Sequence, residues 1–145
     1  MFASVIFGQQ QKVAVYVIGG QDAGINKVLG DQLVAAFANS GKYIAIERTA
    51  SFLAELSKEQ NYQYTGAVDF NELSRLGRQF GVQLVCVVDV SNVFGQKYVS
   101  AHLIDVESAE VTNTANVTNS LSSMNELMTA AQSIARTLTG KTSKE

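Results

Sequence analysis

Proline is absent from these 145 residues, although the sequence needs many turns. Nothing in the residues themselves gives that absence a physical reason. Cysteine occurs once, as Cys86, which excludes an internal disulfide and a thiolate-rich metal site. Cys86 lies inside the most apolar stretch and reads as a small buried hydrophobe. Histidine also occurs once, as His102, and no Cys or Asp cluster near it has metal-ligand spacing. No run of about 18 apolar residues exists, so no segment spans a bilayer as a helix. An excess of one charge is missing too. Eleven basic and 13 acidic residues leave a net charge of −2, with Lys and Arg scattered. That argues against nucleic acid or an anionic membrane surface as the main partner.

What is present is enough for one well-cored domain: 46% hydrophobic and 17% charged residues in a chain of single-domain length. Three strands in succession fill the middle. Leu84-Val85-Cys86-Val87-Val88 is nearly all apolar, as in a strand covered on both faces. Tyr98 to Val106 is a long β-rich run. Val111 to Thr118 alternates, with Val111, Ala115 and Val117 on one face and Thr112, Thr114, Asn116 and Thr118 on the other. Short turns at Gly95-Gln96 and Glu107-Ser108-Ala109 make these strands an antiparallel meander.

Earlier in the chain, strands are separated by helices. Phe2 to Phe7, followed by Gly8-Gln9-Gln10-Gln11, has two readings. It partly matches the end of a secretory signal peptide, without the basic leading segment. Otherwise it is a short strand or a disordered N-terminus. Lys12 to Ile18 is a continuous apolar run and reads as a central parallel strand. After the Gly19–Gly24 loop, Ile25, Val28, Leu29, Leu33, Ala36 and Phe37 recur at helical spacing, and Gly41 closes the helix. Tyr43 to Glu47 is a second strand. A helix follows with Phe52, Leu53 and Leu56, then an ordered loop from Glu59 to Val68. Another helix carries Leu73, Leu76 and Phe80. Ser123 with Glu126 makes a capping-box pair before the stripe Met124, Leu127, Met128, Ala131, Ile134, Ala135 and Leu138. The expected fold is mixed α/β, a helix–sheet sandwich of about five strands, the first three parallel, with about four helices. Residues 12–140 form the domain and 141–145 a polar tail.

Few motifs offer chemistry. A strand, the loop Gly19-Gly20-Gln21-Asp22-Ala23-Gly24 and a helix have the layout of a phosphate-binding loop. Ile25 and Asn26 then stand where Lys and Ser or Thr are needed, and Lys27 is displaced. The alternative is a loop needing permissive backbone angles. Glu47-Arg48 ends the second strand at the carboxyl edge of the sheet. Arg48 either clamps an acidic ligand or ties down the following loop, the role expected of a half-buried arginine. His102 as a general base would need Asp89 or Asp105 to orient it. Asp105 and Glu107 flank a turn and make a catalytic pair only in a cleft. No serine sits in a Gly-x-Ser-x-Gly elbow. Asn116-Val117-Thr118 matches a glycosylation sequon, which matters only in a eukaryotic secretory host.

A family resemblance adds to this. Its residues are Lys12-Val13-Ala14-Val15, Tyr43-Ile44-Ala45-Ile46-Glu47-Arg48, Phe52-Leu53-Ala54-Glu55-Leu56, Glu59-Gln60 and Gly66-Ala67-Val68-Asp69. They continue with the run from Leu76-Gly77-Arg78 to Leu84-Val85 and the run from Ser100-Ala101-His102 to Glu110-Val111. Over residues 12–138 the chain resembles the periplasmic α/β domain of CsgG curli-secretion lipoproteins, LpoB activators of penicillin-binding proteins and the TolB amino-terminal domain. It also resembles small exported proteins of Bacteroides-type bacteria. The resemblance implies a non-enzymatic envelope domain without cofactor or metal that works through protein contacts, and framework roles for Glu47, Arg48 and Gly66. It differs in lacking a lipidated cysteine near Met1 and room for membrane hairpins. The usual Thr-Gly of the final hairpin turn is Ser108-Ala109.

The leading expectation is therefore a periplasmic or exported adaptor, with a cytoplasmic location as the alternative. Its partner is another envelope protein or a second copy. Thr112, Thr114, Asn116 and Thr118 form the candidate partner edge. The rival is a small-molecule or nucleotide site near Gly19, Gly20, Gly24 and Arg48. A hydrolase built on His102 is the third option.

Overall fold

The computed structural model describes residues 10–19, 22–46, 75, 78, 79 and 81–140. Among them the elements run β1 (Gln11–Gly19), α1 (Ala23–Asn39), β2 (Tyr43–Ala45), β3 (Leu84–Val93), β4 (Gln96–Asp105), β5 (Val111–Asn119) and α2 (Met124–Leu138). The strands form one sheet in the order β2-β1-β3-β4-β5. β1 pairs in parallel with β2 and with β3, while β3–β4 and β4–β5 are antiparallel. This is the mixed sheet expected from long early connections and short late ones.

The described residues contain two helices rather than four. The expected helices around Phe52–Leu56 and Leu73–Phe80 lie outside them, apart from helical backbone at Arg75, Arg78 and Gln79. Most of residues 1–11 and all of residues 141–145 also lie outside. Gln11 belongs to β1, one residue earlier than the expected boundary.

Six successive buried residues, Val13 to Ile18, make β1 an interior strand, between β2 and the central β3. Its odd-numbered side chains join Leu84, Cys86, Val88, Val90, Val99, Ala101, Leu103 and Ala115 in one core cluster. Both helices pack there, α1 through Leu29, Leu33 and Phe37 and α2 through Leu127, Ala130, Ala131, Ile134, Ala135 and Leu138. A free helix as short as α2 is marginal in water. Leu127, Ile134 and Leu138, at roughly 2 kcal/mol each on burial, explain why α2 is held by packing. Ala14, Tyr16, Ile18, Val82, Val85, Val87, Ile104 and Val106 form a second cluster on the other face.

Each helix has its own stop and start. The Asp22 carboxylate accepts the N–H groups of Gly24 and Ile25, and Gly41 at φ 76° follows the end of α1. Ser123 Oγ accepts the Glu126 N–H at the start of α2. The expected capping box is only half built. Glu126 Oε1 turns away to accept Ser122 N–H and the hydroxyls of Ser120 and Ser122. Those bonds, the Ser120 hydroxyl first, hold its carboxyl below the usual carboxylate range.

Two local features depart from the sequence reading. The β3–β4 turn is Phe94-Gly95, both at positive φ (52° and 78°), and Gln96 already opens β4. A two-residue hairpin turn with both centres left-handed matches the twist of its strands. In β5 the register slips between Leu103 and Ile104, so Val111 pairs with Ile104 and Asn113 with Leu103. The extra residue, Thr112, takes Val111 out of the row of Ala115 and Val117.

Candidate functional site

The sheet has two edges among the described residues, and they are built differently. β2 has three residues, with Tyr43 and Ala45 half-buried. The Tyr43 ring meets Phe37 edge-on at 5.6 Å between centroids, and burial pushes the Tyr43 hydroxyl pKa up. Beside it, Lys42 Nζ donates to the Thr139 carbonyl at 3.2 Å. β5 has nine residues, Val-Thr-Asn-Thr-Ala-Asn-Val-Thr-Asn, none charged.

The inner row of β5 is tied down. Ala115 is buried, and the Asn113 amide donates to the Thr137 and Leu138 carbonyls at the end of α2, at 3.2 and 3.1 Å. The Asn119 amide donates to the Glu126 carbonyl at 3.3 Å. The outer row is not tied in this way: Thr114, Asn116 and Thr118 are exposed. They stand opposite His102, Ser100 and Tyr98 of β4, making a wet strip of hydroxyl, amide and imidazole groups. Backbone direction follows from one bond. Thr114 N–H donates to Asn113 Oδ1 at 2.9 Å, beside the sheet rather than across it. Backbone groups alternate between inward and outward along an edge strand. Thr114, Asn116 and Thr118 therefore aim their N–H and C=O groups at the open side.

Thr112, expected with these three, stands apart. It is the bulge residue, and its hydroxyl donates to the Leu103 carbonyl at 3.1 Å. The structure also displays a residue that the sequence reading passed over. Phe94 is 99% exposed at a left-handed φ, on a hairpin tip that runs past the last β1–β3 pair, Gly19↔Val90. An aromatic directly before Gly95 was the available signal.

The other candidate residues resolve into supports. Gly19 sits at φ 71°, and a Cβ there would lie 2.6 Å from Asp89 Oδ1 and from the Val90 carbonyl oxygen. Its own carbonyl accepts from Asn26 Nδ2 at 2.8 Å. A Cβ on Gly24 would meet Asp22 Oδ1 at 3.2 Å. The Gly24 and Ile25 N–H groups that a phosphate would need already donate to the Asp22 carboxylate, at 2.9 and 3.1 Å. The helix start carries its own anion. Gly20, Glu47, Arg48 and Gly66 lie outside the described residues.

His102 is half-buried on the second face, opposite Val87 and Thr114. Asp105 pairs with Leu84 and alternates to the opposite side of β4, so it cannot orient His102. Asp89 shares the His102 face, one diagonal step away. Asp105 instead shapes the β4–β5 turn: its Oδ1 accepts the Glu107 and Ser108 N–H groups, and Ala109 takes φ 61°. Cys86 is fully buried, its thiol pushed up to about 12 by burial.

Among the described residues, one cavity lies in the helix layer and another at the Asp105 end of the sheet. The first, about 310 Å³, separates the C-terminal halves of the helices and is lined by Gln32, Ala35, Ala36, Asn39 and Ser40 facing Gln132, Ala135, Arg136 and Thr139. The other, about 610 Å³, is lined by Gln11, Arg78, Gly81–Gln83 and Asp105–Glu107. Several of its polar groups are already bonded: Gln83 Oε1 accepts Lys12 N–H, and Arg78 donates to the Val106 carbonyl. Among the described residues no group of three or more His, Cys, Asp or Glu side chains could hold a metal ion, and no helix is long and apolar enough to cross a membrane.

No family model matches the chain, and no curated protein matches it by sequence. Solved structures do match. The LpoB C-terminal domain from Escherichia coli superimposes with a TM-score of 0.54 at 15% identity, over 79% of this chain and 90% of that one. TolB from Acinetobacter baumannii gives 0.55 at 14% identity, over 91% of this chain but only 29% of TolB. The PelC dodecamer from Paraburkholderia phytofirmans gives 0.52 at 18% identity, over 94% and 90%. At such identities the likeness is one of fold. The chain has the fold of LpoB, TolB and PelC structures.

Proposed function

We propose that this chain is a non-enzymatic cell-envelope interaction domain, periplasmic or exported, whose contact element is the outer row of β5. The observation that carries this is the open edge itself. Thr114, Asn116 and Thr118 are exposed, uncharged, and direct main-chain donors and acceptors outward. Natural sheets usually blunt such an edge with Lys, Pro or shortness. Seven residues of this one, Asn113 to Asn119, lie beyond the bulge with none of these devices. An extended segment adding here gains main-chain hydrogen bonds for affinity, with side-chain matching for specificity.

Three further observations support the proposal. Asp22 fills the helix start that a phosphate would use. Asp105 lies on the wrong side of β4 to serve His102. The fold is shared with LpoB, an activator of penicillin-binding proteins within the family resemblance, and with PelC, which assembles as a dodecamer. Both bring an envelope setting and work by contact to this chain as part of the proposal.

The test is site-specific photo-crosslinking in the native cell, from Asn116 and, as a control, from Gln32 on the helix layer. A protein adduct from Asn116 that disappears with Thr118→Lys is the expected result. Adducts unaffected by Thr118→Lys, or arising only from Gln32, would count against β5 as the contact element.

A further inference from the structure

The occupant of the β5 edge can be read from the strand's own order of residues. Starting from Asn116 and moving outward in both directions, Thr and Asn recur, and the first pair is two small apolar residues. Ala115 answers Val117, Thr114 answers Thr118, and Asn113 answers Asn119. The strand is a palindrome in side-chain type, Asn-Thr-Ala-Asn-Val-Thr-Asn, lying wholly beyond the bulge. An antiparallel pair related by a two-fold axis through Asn116 places Asn opposite Asn, Thr opposite Thr and Ala115 opposite Val117. Resting on the proposal that β5 is the contact element, we propose that the partner strand is β5 of a second copy, joined edge to edge in one continuous sheet.

Three features of β5 agree with this pairing. The two-fold register makes Asn116 face Asn116, and Thr114 face Thr118 of the second copy. A closed two-fold interface requires such self-complementarity. Threonine pairs and amide pairs across antiparallel strands are favourable, and no like charges meet because β5 carries none. The outward backbone groups belong to the same residues that the axis brings together. Thr114, Asn116 and Thr118 of each copy exchange about four main-chain hydrogen bonds, because each Thr114 N–H already donates to its own Asn113 Oδ1. On the inner row, Ala115 meets Val117 of the second copy. β2, with three residues, has no comparable repeat. A ring of copies joined head to tail through β2 and β5 is therefore disfavoured against a pair.

Edge pairing buries little surface, so the pair belongs with weak, concentration-dependent assemblies. Sedimentation of the whole chain tests it first. Mass should rise from 15.6 kDa toward twice that value on concentration to several hundred micromolar and fall back on dilution. Asn116→Lys and, independently, Thr118→Lys should hold the chain at 15.6 kDa with an unchanged circular-dichroism spectrum, since both positions are exposed. Register is tested by cysteine oxidation, with buried Cys86 silent. Asn116→Cys should couple to itself. Thr114→Cys and Thr118→Cys should couple when mixed but not alone, because like positions are offset by four residues, roughly 13 Å. A mass of 15.6 kDa at every concentration, or Thr114→Cys coupling to itself as readily as to Thr118→Cys, would overturn the second-copy assignment. A monomer whose cellular adduct at Asn116 still vanishes with Thr118→Lys overturns that assignment and leaves the contact role intact. Adducts indifferent to Thr118→Lys remove the contact role itself.

Discussion

Strand β2 and strand β5 close the same sheet on opposite sides, yet β2 contributes three residues and β5 nine. β2 is held by the Tyr43 ring against Phe37, with Lys42 reaching to Thr139 beside it. Among the described residues β5 is tied to the helix layer by Asn113 and Asn119 bonding to α2, and its even-numbered residues are exposed. Shortness and a neighbouring lysine are ordinary ways of preventing edge pairing. The difference teaches that a sheet's openness to partners is set edge by edge. Among the described residues the edge next to the parallel strands is short and packed, and the outer row of the meander edge is exposed.

The comparison can be broken at its closed side first. Phe37 is fully buried and supports both the core and Tyr43. Phe37→Ala should lower stability by about 3–5 kcal/mol, the usual range for a buried aromatic, read from urea denaturation. It should also speed amide exchange in β2 before β5. Equal exchange in both edges would show that β2 is not held by this contact. On the open side, Asn113→Ala removes two bonds to α2 carbonyls and uncovers the Thr114 N–H. A loss of about 1–2 kcal/mol is expected, with faster exchange of the Thr114 amide. Unchanged exchange there would mean that Thr114 N–H points into the ladder. The smallest effect sharpens the picture at the β4–β5 turn. Ala109 holds a left-handed φ of 61°, so Ala109→Gly should gain about 0.5–1 kcal/mol. A loss instead would mean that the extra chain freedom of glycine outweighs the strain relieved.

The connections were legible in the sequence: apolar runs split by helical stripes give parallel strands, and runs split by short turns give a meander. The outer row Thr114, Asn116, Thr118 was also legible, because alternation with Ala115 and Val117 survives in the fold. Val111 was misplaced because a bulge adds one residue without any mark in the hydrophobic pattern. β3 was read too short because Asp89, Ser91 and Asn92 interrupt its apolar run, although they pair fully with β4. The glycine loop already lacked the Lys and Ser or Thr of a phosphate site, and Asp22 occupies its Gly24 and Ile25 N–H groups as well. Spacing reports glycines, and only geometry reports which donors are already taken. The symmetry of β5 about Asn116 was in the letters throughout. It acquires meaning once β5 is known to be an edge.

Amide hydrogen exchange at Asn116 and Thr118, measured on the dilute and the concentrated chain, tests the account most directly. Fast exchange at both sites in the dilute sample and strong protection in the concentrated one is the result predicted. The same fast exchange at both concentrations, or protection already present in the monomer, would contradict an open edge that closes on a second copy.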